Sequence, residues 1–283
     1  MKKNLFISLA SIMVFNIANV ADAQYVFVAD YSGNNVTEVS PGGTLSIFGP
    51  GLSNPYGIAF NSAGNLFVSD DGSGNIYEYT PGGVRSTFVS TPYTAHGLAF
   101  DGTGNLYVAD YFGGRIIKIT PGGVQSVFAS GLAGPNRMAF DGLGNLFVGD
   151  YFGNDVTEIT PGGAEITFAS GLSYVSGVAV NSAGNIFVSA GTGNVFEYTP
   201  GGVQSTFASG LGNLGGIEFD TAGNLFVDDA SNKAIYKITP GGVVTTFASG
   251  FVEPSDLAIQ PVPEPSALAF LALGAAALAV RRR

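Results

Sequence analysis

Cysteine is absent from the 283 residues, and histidine occurs once, as His96. No disulfide, thiolate metal site or cysteine nucleophile is therefore available, and a histidine-cluster metal centre is excluded as well. Charge is scarce, at 11% of residues against roughly 25% in an ordinary soluble domain. Positive charge is the scarcer sign: 11 Lys and Arg face 21 Asp and Glu, and six basic residues fall between positions 24 and 260. Those six are scattered, so the clustered phosphate neutralisation that nucleic acid demands is missing. Helical spacing of apolar residues is absent too, which excludes solenoids of paired helices. What the chain has instead is glycine, 42 residues of it, at about twice ordinary usage. With 46% hydrophobic residues, it is a turn-rich chain long enough to bury a sizeable core.

The two ends read as addresses. Residues 1–23 open with Lys2 and Lys3, continue through an apolar stretch from Leu5 to Val14 and finish Ala21-Asp22-Ala23. A positive start, a short apolar core and a small-x-small site around Ala21 and Ala23 make a secretory signal peptide, cut before Gln24 after export through the Sec translocon. Without cysteine, the exported part must be held by packing alone. Residues 261–283 contain Pro263-Glu264-Pro265, then 14 apolar residues from Ala267 to Val280, then Arg281-Arg282-Arg283. As a helix that apolar run would reach ~21 Å, short of the ~30 Å hydrocarbon core, and the arginines would stay on the cytoplasmic side. This arrangement resembles the PEP-CTERM sorting signal of Gram-negative bacteria. The resemblance implies a short transmembrane helix in transient membrane contact, processing by an exosortase, and release to the cell surface, outer envelope or extracellular polysaccharide.

Between these ends the sequence repeats. Pro-Gly-Gly begins at Pro41, Pro81, Pro121, Pro161, Pro200 and Pro240, at spacings of 39 or 40 residues. The segment Asn-Leu/Ile-Phe/Tyr-Val keeps the same period from Asn65, Asn105, Asn145, Asn185 and Asn224. Within one unit, Gly97–Asp101, Asn105–Asp110, Arg115–Thr120 and Val124–Ser130 read as strands separated by turn residues. Pro-Gly-Gly suits a tight turn, with Pro presetting φ and Gly supplying φ > 0. Four strands in ~40 residues, repeated, predict an all-β, six-bladed β-propeller of four antiparallel strands per blade, spanning residues 24–260. Residues 25–48 lack a first strand and Asp256–Gln260 is a spare one. Sharing one blade between N- and C-terminal strands closes the ring and removes exposed edges. The recurring Phe48, Phe88, Phe128, Phe168, Phe207 and Phe247, with Phe67, Tyr107, Phe147, Phe187 and Phe226, are expected in the core.

The unit Gly97-Leu98-Ala99-Phe100-Asp101 through Gly104-Asn105-Leu106-Tyr107-Val108-Ala109-Asp110 to Arg115-Ile116 resembles the NHL repeat. It is similar, more broadly, to the lactonase-like (SMP-30/gluconolactonase) and streptogramin-lyase-like six-bladed propellers. One propeller hosts many chemistries, so the resemblance implies fold more than function.

Function in a pseudo-symmetric ring needs asymmetry. Asp30, Asp70, Asp110, Asp150 and Asp229 recur at the end of strand two and are expected to accept backbone N–H groups in the following turn. The starts of the innermost strands, at the channel mouth, vary more. One repeat position reads Tyr56, His96, Asn136, Ser176, Gly215, Ser255; the next reads Gly57, Gly97, Arg137, Gly177, Gly216, Asp256. Two residues on, Glu218 stands in a series of Ala59, Ala99, Ala139, Ala179 and Ala258. His96 with Glu218, and Arg137 with Asp256, are three blades apart and are expected to face one another across the axis.

Two readings compete. His96 and Glu218 would serve as catalytic base and acid, with Arg137 holding an anionic substrate, in a hydrolase or lyase of a small extracellular substrate. Alternatively Tyr56, Asn136, Arg137 and Asp256 bind a small molecule or polysaccharide without turnover, and the protein is a binding or scaffold module. The lyase-like propellers rely on more than one His and the lactonase-like ones on an acidic and Asn metal site; the second His and an early Glu ligand are missing here. No motif requires a cofactor, although a divalent metal such as calcium would find Glu218, Asp256 and Asn136 as ligands.

Overall fold

The computed structural model describes residues 24–261, and every helix or strand within them is a strand. Twenty-four strands of five or six residues form six four-stranded antiparallel sheets. Five sheets are built from consecutive strands. The sixth, blade one, combines Val26–Asp30, Asn35–Val39 and Leu45–Pro50 with the last strand, Pro254–Ile259. No helix among the described residues is long and apolar enough to cross a membrane; the expected signal peptide, its Ala21 and Ala23, and Pro263 to Arg283 lie outside the described residues.

Local chemistry explains the hairpins. In each blade the Pro-Gly-Gly sequence makes a turn whose second glycine has φ between 77° and 82° and donates its N–H back across the turn, as from Gly43 to Ser40 O at 2.8 Å. A residue with a Cβ would be strained there. Strand two carries a buried aromatic ring in every blade, packed edge-on against the phenylalanine of strand four at 4.9 to 5.1 Å between centroids, including Phe27 with Phe48. The same ring packs on the first strand of the next blade, as Phe67 does on Phe100 at 4.9 Å. Each fully buried ring contributes ~2 to 3 kcal/mol, and this contribution recurs around the ring.

The innermost strands are Pro55–Phe60, Ala95–Phe100, Pro135–Phe140, Val175–Val180, Leu214–Phe219 and Pro254–Ile259. They begin about two residues earlier than the sequence pattern suggested, because each has a bulge near its start, as between Ala95 and Leu98. Each contacts its two neighbours, closing a channel. All six run the same way, so their first residues form one opening, the N-mouth, and their last residues the other, the C-mouth. At the throat a Cβ on Gly57, Gly97 or Gly177 would collide with a carbonyl of the next inner strand, which accounts for glycine there. Ser69 and Ser189 knit neighbouring blades by donating to His96 O at 2.8 Å and Gly215 O at 2.7 Å.

Closure is specific. Val26 pairs with Ile259, and the Asp30 carboxylate accepts from Val252 N at 2.9 Å and Glu253 N at 2.7 Å. Gln260 N donates to Tyr25 O at 2.9 Å, so both described ends leave side by side at the C-mouth face.

Candidate functional site

Arg137, at the third position of its inner strand, is turned into the throat and is only 6% exposed. Its Nε lies 3.2 Å from Asp256 Oδ1, three blades away. Nη1 donates to Ser176 O and to Asn136 Oδ1, both at 3.1 Å, and Nη2 donates to Ser255 O. The guanidinium also sits 4.6 Å from the centre of the Tyr56 ring. Burial works against its charge, but Tyr56, Asp256 and Asp228 outweigh that effect and hold the proton more firmly than usual. One side chain thus ties four blades together across the axis. Asp256 in turn accepts from Ile58 N at 3.2 Å; burial raises its pKa, and Arg137 and its hydrogen bonds oppose the rise.

Above this plug the N-mouth opens into a cavity of about 310 Å³ lined by Tyr31, Tyr56, Tyr111, Tyr151, Asn136 and Asp228, among others. Its rim is aromatic. Tyr31 meets Tyr56 edge-on at 6.0 Å, Tyr56 stacks on His96 at 3.7 Å, and His96 stacks on Tyr111 at 4.2 Å. Tyr111 continues to Tyr151 at 6.2 Å and Tyr151 to Tyr174 at 5.1 Å, an arc over five blades. His96 is filling in this stack: Nε2 is 3.5 Å from Asp71 Oδ2, and Nδ1 is buried without a partner. Burial lowers its pKa, with Asp71 opposing, so the ring is neutral at neutral pH.

The sequence-predicted residues therefore divide. Tyr56, Asn136 and Arg137 come together at the N-mouth, with His96 packed behind Tyr56 and Asp256 at the throat. Glu218 does not join them. It is three positions further along its strand than His96 is along its own, roughly 10 Å along the axis, and lines the opposite cavity of about 470 Å³ at the C-mouth. The expected facing of His96 and Glu218 does not form, because blade number fixes only the angle around the axis and strand position fixes the depth. The same offset separates Asn136 from Glu218, and Asp256 is committed to Arg137, so the expected metal set is not assembled. Among the described residues no cluster of three or more His, Asp or Glu is placed to hold a metal ion. At the C-mouth, Glu218 accepts from Ile259 N at 2.8 Å, and burial among apolar walls pushes its pKa up to about 8.

Besides the tyrosines of the arc other than Tyr56, two carboxylates at the site escaped the sequence reading. Asp228 is fully buried on strand two of blade six, accepts from Gly216 N through Oδ2 and leaves Oδ1 without a partner. Asp71 faces His96. Both are legible as departures, Asp228 in the series Ala29, Ser69, Ala109, Gly149, Ser189 and Asp71 in the series Tyr31, Tyr111, Tyr151, once strand two is scanned like strand one. In the following turn, as expected, Asp110 accepts from Gly113 N and Asp229 from Asn232 N, both at 3.0 Å, whereas Asp70 accepts from Ser53 N at 2.9 Å, in the loop before the inner strand.

The PEP-CTERM protein-sorting motif matches residues 261–283, which implies exosortase processing and export to the cell surface. No curated protein sequence matches the chain. Among solved structures, a crystal structure of a nidogen/laminin complex is similar with a TM-score of 0.77 at 16% identity, covering 84% of this chain and 98% of that chain. A gluconolactonase from Xanthomonas campestris gives 0.67 at 17% identity, over 83% of this chain and 88% of that one. Virginiamycin B lyase from Staphylococcus aureus gives 0.58 at 17% identity, over 75% and 71%. At these identities the likeness is one of fold: a six-bladed β-propeller.

Proposed function

We propose that this protein is a surface-delivered binding module whose N-mouth holds a saccharide unit of the extracellular polysaccharide. The observation that carries this reading is the arc from Tyr31 to Tyr174 around a polar throat. Sugar rings present apolar C–H faces to aromatic rings and hydroxyls to buried polar groups, and this mouth offers both. The chain ends leave at the C-mouth face, so while the C-terminal segment is attached the N-mouth is directed away from the membrane and toward the matrix.

Turnover is the weaker reading. A general base must reach the proton it removes, whereas both faces of His96 are covered by tyrosines, Nδ1 is sealed and Nε2 faces Asp71. Fragments of the host's polysaccharide titrated into the full-length chain in mild detergent test the proposal. Saturable binding that weakens in Tyr111→Ala supports it; lactone or ester turnover abolished by His96→Ala would replace it with the hydrolase or lyase reading.

A further inference from the structure

The charges at the N-mouth do not balance. Among the described residues lining it, Arg137 is the one guanidinium, and its nitrogens face Asp256, Ser176 O, Asn136 Oδ1 and Ser255 O, all groups of the protein itself. Asp256 accounts for its charge, and Asp228 is then a second carboxylate at the cavity wall, fully buried, with Oδ1 lacking any partner. Glu253 adds a third carboxylate at the rim, where Ser32 Oγ donates to it. An unmade hydrogen bond at a buried oxygen is costly, and native structures rarely leave one without a use.

That carboxylate also takes the place a side chain of the neighbouring strand would fill. In the repeat series Tyr56, His96, Asn136, Ser176, Ser255, blade six alone has no side chain, at Gly215. A Cβ on Gly215 would collide with Asp228 Oδ1. Gly215 and Asp228 are thus a matched pair of departures: one blade gains a carboxylate on strand two and loses the facing side chain on strand one.

We propose that the N-mouth is selective for a ligand bearing an ammonium group, in the form of an amino sugar with a free amine. This rests on the saccharide reading above and names its chemical class. An ammonium offers three donors and a positive charge, which answers Asp228 Oδ1 and restores the balance of two throat carboxylates against one guanidinium. The rings of Tyr31, Tyr111 and Tyr151 line the same mouth, and aromatic rings attract a cation. A uronate would add a carboxylate to a site already in excess of them. An acetamido or hydroxyl group brings no charge to set against the buried carboxylate.

Proton linkage supplies a readout that needs no variant. Burial raises the pKa of Asp228 well above the usual carboxylate value; Asp256 and Asp229 add to the rise, and Arg137 and the Gly216 N–H oppose it. An ammonium beside Oδ1 favours the ionised carboxylate and lowers that pKa, so its binding is linked to proton exchange.

The test is calorimetric titration of the full-length chain in mild detergent with three trisaccharides, of glucosamine, N-acetylglucosamine and glucose, in buffers of different ionisation enthalpy. The expected result is binding of the glucosamine form at least ~10-fold tighter than the other two, with a binding enthalpy that varies with the buffer as linked proton exchange requires. In Asp228→Asn the preference should fall below ~2-fold, while Tyr111→Ala weakens all three sugars. Equal binding of the three, without linked proton exchange, overturns the ammonium proposal and leaves the saccharide reading in place. Methylammonium raising the thermal midpoint of the wild type but not of Asp228→Asn, with no trisaccharide bound, supports the ammonium site and overturns the saccharide reading. Calcium displacing methylammonium at equimolar concentration overturns the proposal in favour of a divalent-cation site.

Discussion

The two mouths of the channel are made from the same six strands, yet they differ in kind. At the C-mouth the repeats agree in kind: Ala59, Ala99, Ala139, Ala179 and Ala258 stand in equivalent places, flanked by the apolar Phe60, Phe100, Phe140, Val180, Phe219 and Ile259, and Glu218 is the single charged departure among them. At the N-mouth the inner strands diverge over their second and third residues, and the differences are complementary: Arg137 reaches Asp256, Tyr56 covers His96, and Gly215 makes room for Asp228. Uniform positions answer a demand that every blade feels, namely packing against its neighbours. Positions that vary together answer a demand made on the ring as a whole, and recognition of one ligand on the axis is such a demand.

The contrast can be broken most severely at Arg137. Arg137→Ala leaves Asp256 and Asp228 buried without their cation, and a loss of ~3 to 5 kcal/mol is expected in denaturant unfolding. Removing a ring at either mouth sharpens it: Phe60→Ala should cost ~2 kcal/mol of stability with polysaccharide affinity unchanged, whereas Tyr111→Ala should weaken affinity ~10-fold for a smaller stability loss. The mouths should also differ in pH response. Glu218 has a folded-state pKa of about 8, above its unfolded value of ~4.3, so its contribution is full in acid and is lost as pH rises toward 8. Glu218→Gln should flatten that decline by ~1 to 2 kcal/mol, a figure reduced for the partial solvent access of the side chain. His96 has a folded pKa below its unfolded value of ~6.5, so its contribution is present above that pH and is lost as pH falls below it. The smallest effect is therefore expected in His96→Gln, a shallower acid-side loss in a thermal unfolding series.

The fold was legible because a propeller writes its plan once per blade: Pro-Gly-Gly, the Asn-Leu-Phe-Val strand and the spare last strand specify period, number and closure. The site was legible only in part. Comparing blades exposed Arg137, Asp256 and Glu218, since a charge in a run of glycine or alanine needs a local reason. Depth was read less well than angle, and His96 and Glu218 were expected to meet although three strand positions separate their levels. Asp228 and Asp71 were hidden because each adjoins a recurring aspartate of strand two and reads as part of the same acidic turn. The arc of tyrosines was illegible for another reason: Tyr31, Tyr111 and Tyr151 share one repeat position, but Tyr56 and Tyr174 come from others, and only the closed ring brings the two sets into line.

The central claim is that ligand recognition resides at the N-mouth. It is tested most directly by titrating polysaccharide fragments into the wild type, Tyr111→Ala and Ala139→Leu, the last of which fills the C-mouth cavity. The account predicts saturable binding that falls ~10-fold in Tyr111→Ala and is unchanged in Ala139→Leu. Binding abolished by Ala139→Leu and indifferent to Tyr111→Ala would place recognition at the other end of the channel and contradict it.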